Sequence, residues 1–416
     1  MRSIGVATVM IVAAVVIVAA LAGCTSGGEL TAPTATTAPT TSPIESTAPT
    51  TPPSTSPSAS SAASTRPSSA APRTVQQILT AMPEGERVGQ LFMVGAASTG
   101  TDQAATTAIT RYHVGSVILM GQGPTSIART ADAAAGLQRH AGPIKLFVAT
   151  DQEGGEVQRL HGDGFSSIPS ALRQGAESPA SLRNDAKRWA AQLRAAGVNL
   201  DLAPVADTVP SASFAPSNPP IGALDREFGF DPGTVAGHAT AFAQGLADAG
   251  VDATLKHFPG LGRVTGNTDT TAGVTDRTTT RHDEYLAPFA AAVQGGAPFV
   301  MMSTAYYSRI DPGRPAAFSP TIVTGMLRGD LHFRGVVISD DVGSAAQVAA
   351  FAPGARAVDF IAAGGDMVLT VDSSLIGRMA TAVLARARSD TGFHALVDAA
   401  ALRVLTAKKA RGLLSP

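Results

Sequence analysis

The chain is poor in several things that mark particular functions. Among 416 residues there is one cysteine and one tryptophan, aromatic residues reach 5%, and charged residues only 15%. A single cysteine excludes a disulfide within the chain. Charge of one sign is also missing: 31 Lys plus Arg against 32 Asp plus Glu leave a net −1. That balance offers no basic field to nucleic acid and no reason to expect a polyanionic partner. The G-x-G-x-x-G spacing of a dinucleotide site is absent. The histidines His113, His140, His161, His238, His282, His332 and His394 are scattered, with no H-x-H or H-E-x-x-H pattern. No metal site is therefore expected.

Apolar residues make up 44% of the chain, enough for a sizeable core, and the charge deficit is local to the N-terminus. Residues 1–23 carry Arg2, then an apolar run from Ile4 to Ala20, then Leu21-Ala22-Gly23 before the only cysteine, Cys24. The run is nearly long enough to span a bilayer. The small residues before cysteine resemble instead a bacterial lipoprotein signal, with Cys24 lipidated and the remainder held outside the cytoplasmic membrane. Lipidation would remove Cys24 as a metal ligand or nucleophile. Of the 49 residues in 25–73, 41 are Ser, Thr, Pro or Ala, too little apolar surface to offset ordering entropy. With Cys24 they read as a disordered stalk, 24–73, reaching on the order of 150 Å at about 3 Å per residue.

From residue 74 to 416 no second linker or long-period repeat interrupts the pattern. Short apolar segments recur at 90–95, 114–120, 145–151, 198–207, 252–260, 299–305, 335–341 and 365–371. Ala-rich stretches with helical periodicity, such as 181–197 and 234–250, separate most of them. Eight strands apolar on both faces, alternating with helices, predict parallel β-structure. A single (β/α)8 barrel is the natural closure, with an open doubly wound sheet as the alternative. Asp151, Lys256, His257, Asp340 and Asp341 each end a predicted strand. In a barrel that edge is the active-site face, and a charge ending an apolar strand is hard to explain as packing.

Three segments carry the chemistry: Asp151-Gln152-Glu153-Gly154-Gly155-Glu156-Val157-Gln158-Arg159, Lys256-His257-Phe258-Pro259-Gly260, and Val337-Ile338-Ser339-Asp340-Asp341. With L-A-P-V-A-D at 202–207, D-R-E-F-G at 225–229 and A-G-G-D-M at 363–367, they resemble glycoside hydrolase family 3. The likeness spans residues 76–412 and points to the single-domain bacterial β-N-acetylglucosaminidase branch. It implies that Asp340 is the nucleophile of a retaining mechanism. It also implies that Asp151, Arg159, Arg226, Lys256 and His257 hold the first sugar. The implied substrate is a terminal β-linked N-acetylglucosamine of peptidoglycan-type fragments, cleaved by a monomer without cofactor. Another sugar specificity within the family, or a sugar-binding surface lipoprotein without strong catalysis, are the alternatives.

One stretch departs from the branch. Where relatives carry Asp-Ser-His on the loop after the fifth strand, this chain reads Asn267-Thr268-Asp269. A second histidine of the motif is replaced by Leu261, and Ser303-Thr304 stands where many relatives have a histidine. Three readings follow. Asp269 is a carboxylate acid/base, given a pKa raised by burial or by Asp340; or Glu153 or Asp276 supplies the proton; or the enzyme is crippled. An anionic Asp269 also disfavours transfer to phosphate in place of water. Structural readings compete elsewhere: an Asp151–Arg159 ion pair, a satisfied Lys256-His257 core pair, Asp341 as a helix cap, and Asp207 and Asp366 as scaffold. Trp189 reads as core. A stacking platform for sugar would have to use Tyr306, Tyr307 or Phe228, or be missing.

Overall fold

Eight short strands alternate with helices through the residues that the computed structural model describes, 73–121 and 123–414. The segment 1–23 expected as a signal, Cys24 and the expected stalk as far as residue 72 lie outside the described residues. The strands are β1 (Phe92–Ala97), β2 (Ser116–Met120), β3 (Phe147–Thr150), β4 (Leu200–Asp201), β5 (Asp252–Phe258), β6 (Phe299–Met302), β7 (Val336–Ser339) and β8 (Val368–Thr370). Their spatial order is β7-β6-β5-β4-β3-β2-β1-β8, and every neighbour is parallel. The last seam closes through a parallel bridge between Ile338 and Met367, where the Ser339 amide donates to the Met367 carbonyl at 2.9 Å. The sheet is thus a barrel and not an open, doubly wound one.

The strands read as continuous apolar runs because both faces are covered. Met93, Ile118, Phe147, Ala149, Leu200, Phe299, Met301, Val336, Ile338 and Leu369 point inward and pack together. Their neighbours Phe92, Val94, Val117, Val148 and Val337 pack outward against the helices. Local sequence sets where the helices begin and end. Ser178 and Asp231 cap the helices Pro179–Ala195 and Pro232–Asp248, accepting from the amides of Ser181 and Thr234 at 3.2 and 2.8 Å. Proline follows each cap, where its missing N–H costs nothing. Both helices stop at a glycine with positive φ, Gly197 and Gly250. The next amide, of Val198 or Val251, then reaches back to Leu193 or Leu246 at 3.0 Å, a closure open to glycine at little cost.

The N-terminal end of the barrel is plugged by the last helix, Thr391–Ala410, which inserts Val404 and Lys408. Lys408 is 0% exposed, and its Nζ donates to Gln90 Oε1 at 2.7 Å and Gly115 O at 2.8 Å. With no carboxylate at the ammonium, burial pulls its pKa down to about 7. Asp366 stands two residues before β8 at the same end. It accepts from Arg328 at 2.6 Å, Arg403 at 2.7 Å and the Val337 amide at 2.8 Å, the scaffold role expected of it. Trp189 is buried against Phe242 in the helix layer.

Candidate active site

The two-residue period of the strands selects the groups that reach the C-terminal mouth. The inward row of β3, Phe147 and Ala149, continues to Asp151. That of β5 runs through Thr254 to Lys256, and that of β7 through Val336 and Ile338 to Asp340. These three charges line a pocket of about 490 Å³ together with Arg159, Arg226, His257, Asn267, Thr268, Asp269 and Asp341. The volume is that of a small-ligand site. The pocket's apolar wall comes from the ends of the other strands, among them Met120, Leu202, Met301 and Val371. All seven sequence-predicted site residues, Asp151, Arg159, Arg226, Lys256, His257, Asp269 and Asp340, thus meet in one cavity.

One side of the pocket is a dense ion-pair network. Lys256 Nζ, 2% exposed, lies 2.6 Å from Asp151 Oδ1 and 2.7 Å from Glu153 Oε1. Arg226 grips Glu153 from the far side, Nε to Oε2 at 2.8 Å and Nη2 to Oε1 at 2.7 Å, and its Nη1 donates to Pro220 O at 2.7 Å. Burial alone would raise the Glu153 pKa, yet Arg226 and Lys256 bring it down to about 2. Burial would likewise lower that of Lys256, but Asp151 and Glu153 raise it instead. Glu153 is therefore ionised at neutral pH, and Lys256 presents a charged, oriented donor to the cavity. Beside it the wholly buried Asp207 accepts from His257 Nδ1 at 2.7 Å, from the His257 amide at 3.1 Å and from the Leu261 amide at 2.8 Å. The ring is thereby fixed with its other nitrogen free.

Several competing readings are resolved by these contacts. Asp151 pairs with Lys256, whereas Arg159 is exposed on the rim. Lys256 and His257 are both satisfied and both on the pocket wall. Asp341 accepts from the Gly343 and Val371 amides at 2.9 and 3.0 Å, tying the end of β7 to that of β8; it is structural, though not a helix cap. Glu153 is spent on Arg226 and Lys256. Asp276 accepts from Thr278 and Thr279 in a tight turn and does not line the pocket. Neither is free to move a proton. No aromatic residue lines the pocket among the described residues: Phe228 stacks with His238 and Phe242 in the helix layer, and the Tyr307 hydroxyl donates to Gly260 O at 2.8 Å.

Three carboxylates of the lining remain, the exposed Glu156 and the two acids Asp340 and Asp269, and the last two differ in setting. Asp340 is half-buried on the floor, and its Oδ1 accepts from the Asp341 amide at 2.8 Å. Its pKa is raised to about 6, first by loss of water and then by the Asp269 charge, with His257 and Lys256 pulling the other way. Asp269 is exposed at the mouth, on the loop after β5. It is not buried, so the burial that the sequence reading allowed for it is not found. The loop is well anchored: Asn218 Nδ2 donates to Leu261 O at 2.8 Å and Val264 O at 2.7 Å. Arg263 pairs with Asp283 at 2.9 Å and stacks 3.4 Å above the Tyr285 ring.

Two buried acids were not singled out from sequence. Asp201, at the end of β4, accepts from the Gln152 amide at 3.0 Å but has no partner at Oδ2, and burial raises its pKa to about 8. Glu227, beside Arg226, has no partner at either oxygen, and burial raises its pKa to about 7. Among the described residues no cluster of His, Cys, Asp or Glu is arranged to hold a metal ion, and no helix is long and apolar enough to cross a membrane.

Comparison with known proteins gives one family. Residues 85–407 match the glycosyl hydrolase family 3 N terminal domain. A beta-hexosaminidase of Xylella fastidiosa (strain M23) is 37% identical over 309 residues, 72% of this chain and 89% of that protein. The crystal structure of a beta-N-acetylhexosaminidase from Beutenbergia cavernae DSM 12333 is 52% identical, with TM-score 0.78 over 79% of this chain and 99% of that one. A family 3 beta-N-acetylglucosaminidase from Paenibacillus sp. str. FPU-7 is 31% identical, with TM-score 0.75 over 81% of this chain and 64% of that one. A closed parallel barrel with charged strand ends, matched over three quarters of its length, is a glycoside hydrolase, and the chain belongs to family 3.

Proposed function

We propose that the protein is a retaining β-N-acetylhexosaminidase that removes terminal β-linked N-acetylglucosamine from peptidoglycan-type fragments. The observation that carries the reading is that Asp340 on the floor and Asp269 at the mouth share one pocket and neither is held in an ion pair, while Asp151 and Asp341 of the same lining are engaged by Lys256 and by the Gly343 and Val371 amides. Family 3 membership and the names of the relatives support the sugar.

In the first half-reaction an Asp340 oxygen attacks the anomeric carbon as the bond to the leaving oxygen breaks. Asp269 gives that oxygen its proton. The product is a glycosyl ester on Asp340. In the second, the Asp269 carboxylate takes a proton from water, the water oxygen attacks the same carbon, and the ester breaks to return Asp340. Asp151, Lys256, His257, Arg159 and Arg226 hold the sugar hydroxyls. An anionic acid/base repels phosphate, which supports water as the acceptor. The Leu21-Ala22-Gly23-Cys24 sequence supports export, with a lipid on Cys24 holding the barrel outside the membrane at the end of its stalk.

The test is hydrolysis of an aryl β-N-acetylglucosaminide by the full chain beside Asp340→Ala and Asp269→Ala. Azide should rescue Asp340→Ala as the glycosyl azide of inverted anomer and Asp269→Ala as that of retained anomer. Faster turnover of β-glucosides or β-xylosides by the wild type would overturn the substrate. Absence of turnover with every aryl glycoside would overturn the reaction.

A further inference from the structure

An acid/base on an exposed loop has to be held within about 0.5 Å of its working position by something else in the structure. No side-chain hydrogen bond fixes the Asp269 carboxylate among the described residues, but its backbone is fastened on both sides. The Asp269 amide donates to Asn267 Oδ1 at 2.9 Å, and its carbonyl accepts from the Ala346 amide at 3.1 Å. The Thr268 carbonyl accepts from the Gln347 amide at 3.0 Å. The far stem of the same loop returns at Val274, where the Gln347 side chain closes it. Its Oε1 accepts from the Val274 amide at 2.9 Å, and its Nε2 donates to the Val274 carbonyl at 3.0 Å. Gln347 is buried, 4% exposed.

Ala346 and Gln347 belong to the short turn of helix that follows β7, the strand leading to Asp340. A single residue therefore joins both stems of the Asp269 loop to the segment that carries the nucleophile. We infer that Gln347 is a positioning residue, which sets the Asp269 carboxylate relative to Asp340 by clamping the loop through Thr268 and Val274. The inference rests on Asp269 being the acid/base. Gln347 itself touches no reacting atom.

The leaving group separates a positioning role from a structural one. A dinitrophenyl group departs without a proton, whereas a phenyl group requires one, so loss of acid catalysis falls on the second alone. In the full chain, Gln347→Met should lower kcat/KM for phenyl β-N-acetylglucosaminide by about tenfold or more, within the 10²–10⁴-fold that general acid catalysis supplies. The dinitrophenyl substrate should change by no more than about twofold. Gln347→Glu keeps the acceptor for the Val274 amide and should fall between, which covers the case in which the Met variant does not fold. Equal losses on both substrates, or none on either, would overturn the inference while Asp269→Ala still shows the selective loss. If Asp269→Ala itself lacks leaving-group selectivity, the acid/base assignment fails and this inference with it.

Discussion

The barrel buries two lysines, one at each end, and their pKa values are shifted in opposite directions. Lys256 at the mouth faces Asp151 and Glu153, and those carboxylates hold its proton on more tightly than water would. Lys408 at the N-terminal end faces the neutral oxygens of Gln90 and Gly115, with the Phe147 ring 5.9 Å away and no carboxylate, and burial brings it down to about 7. Burial is nearly the same; the partners decide the charge. At the mouth, ionised groups are assembled at a cost that packing does not explain, and a ligand does. At the N-terminal end the same side chain, stripped of counter-ions, serves as a long spacer with two hydrogen bonds at its tip.

The comparison can be broken in order of size. Asp340→Asn keeps the shape of the pocket floor but removes the nucleophile, and turnover should fall by about 10³-fold or more with the melting midpoint at neutral pH equal to or above that of the wild type. Lys256→Met leaves Asp151 and Glu153 short of a partner. It should cost about 3–5 kcal/mol of stability and about 10²-fold in kcat/KM, whereas Lys408→Met should leave kcat/KM within about twofold. Equal losses in the two lysine variants, measured side by side by denaturant melts and steady-state kinetics, would sink the distinction. A pH profile sharpens it further. Asp340 must be ionised to attack, so kcat/KM should fall as pH drops below about 6.

Stability should carry the mark of Lys408 separately. Between pH 7 and the ordinary 10.5 the unfolded chain holds a proton there that the folded chain does not. Stability from this group therefore rises with pH across that window and is flat outside it, and Lys408→Met should abolish the slope in urea melts. The smallest effect is expected at Glu227. Its folded pKa lies above its ordinary value, so it costs stability as pH rises from 4.5 to about 7. Glu227→Gln should recover on the order of 1 kcal/mol at pH 8.

The barrel was legible because its signal is redundant: eight apolar runs, each covered on both faces, with capping residues and glycines punctuating the helices between them. Asp151, Lys256 and Asp340 were legible for a related reason, since each extends an inward row of an apolar strand by one charged residue. Glu153 was ambiguous because its meaning depends on Arg226, 73 residues away in sequence, and nothing local encodes that meeting. Asp201 gives no sequence signal at all, since an acid between leucines looks the same whether or not it finds a donor, and Glu227 sits inside the D-R-E-F-G segment without any local sign that its carboxylate is buried. Gln347 was invisible for the same reason, a glutamine whose two bonds go to a backbone on another loop. Asp269 was found by counting along the loop from Lys256, but its exposure belongs to the loop's path.

The seam of the barrel pairs Phe92 with Val368, the first strand with the last. Such a ring has no edge only when it is whole. Until β8 is in place, β1 and β7 each present an unpaired row of amides and carbonyls to any passing strand. Chains ending before the last strand are therefore templates for aggregation. The pocket, whose wall includes Leu369 and Val371, is incomplete in any chain that ends before β8.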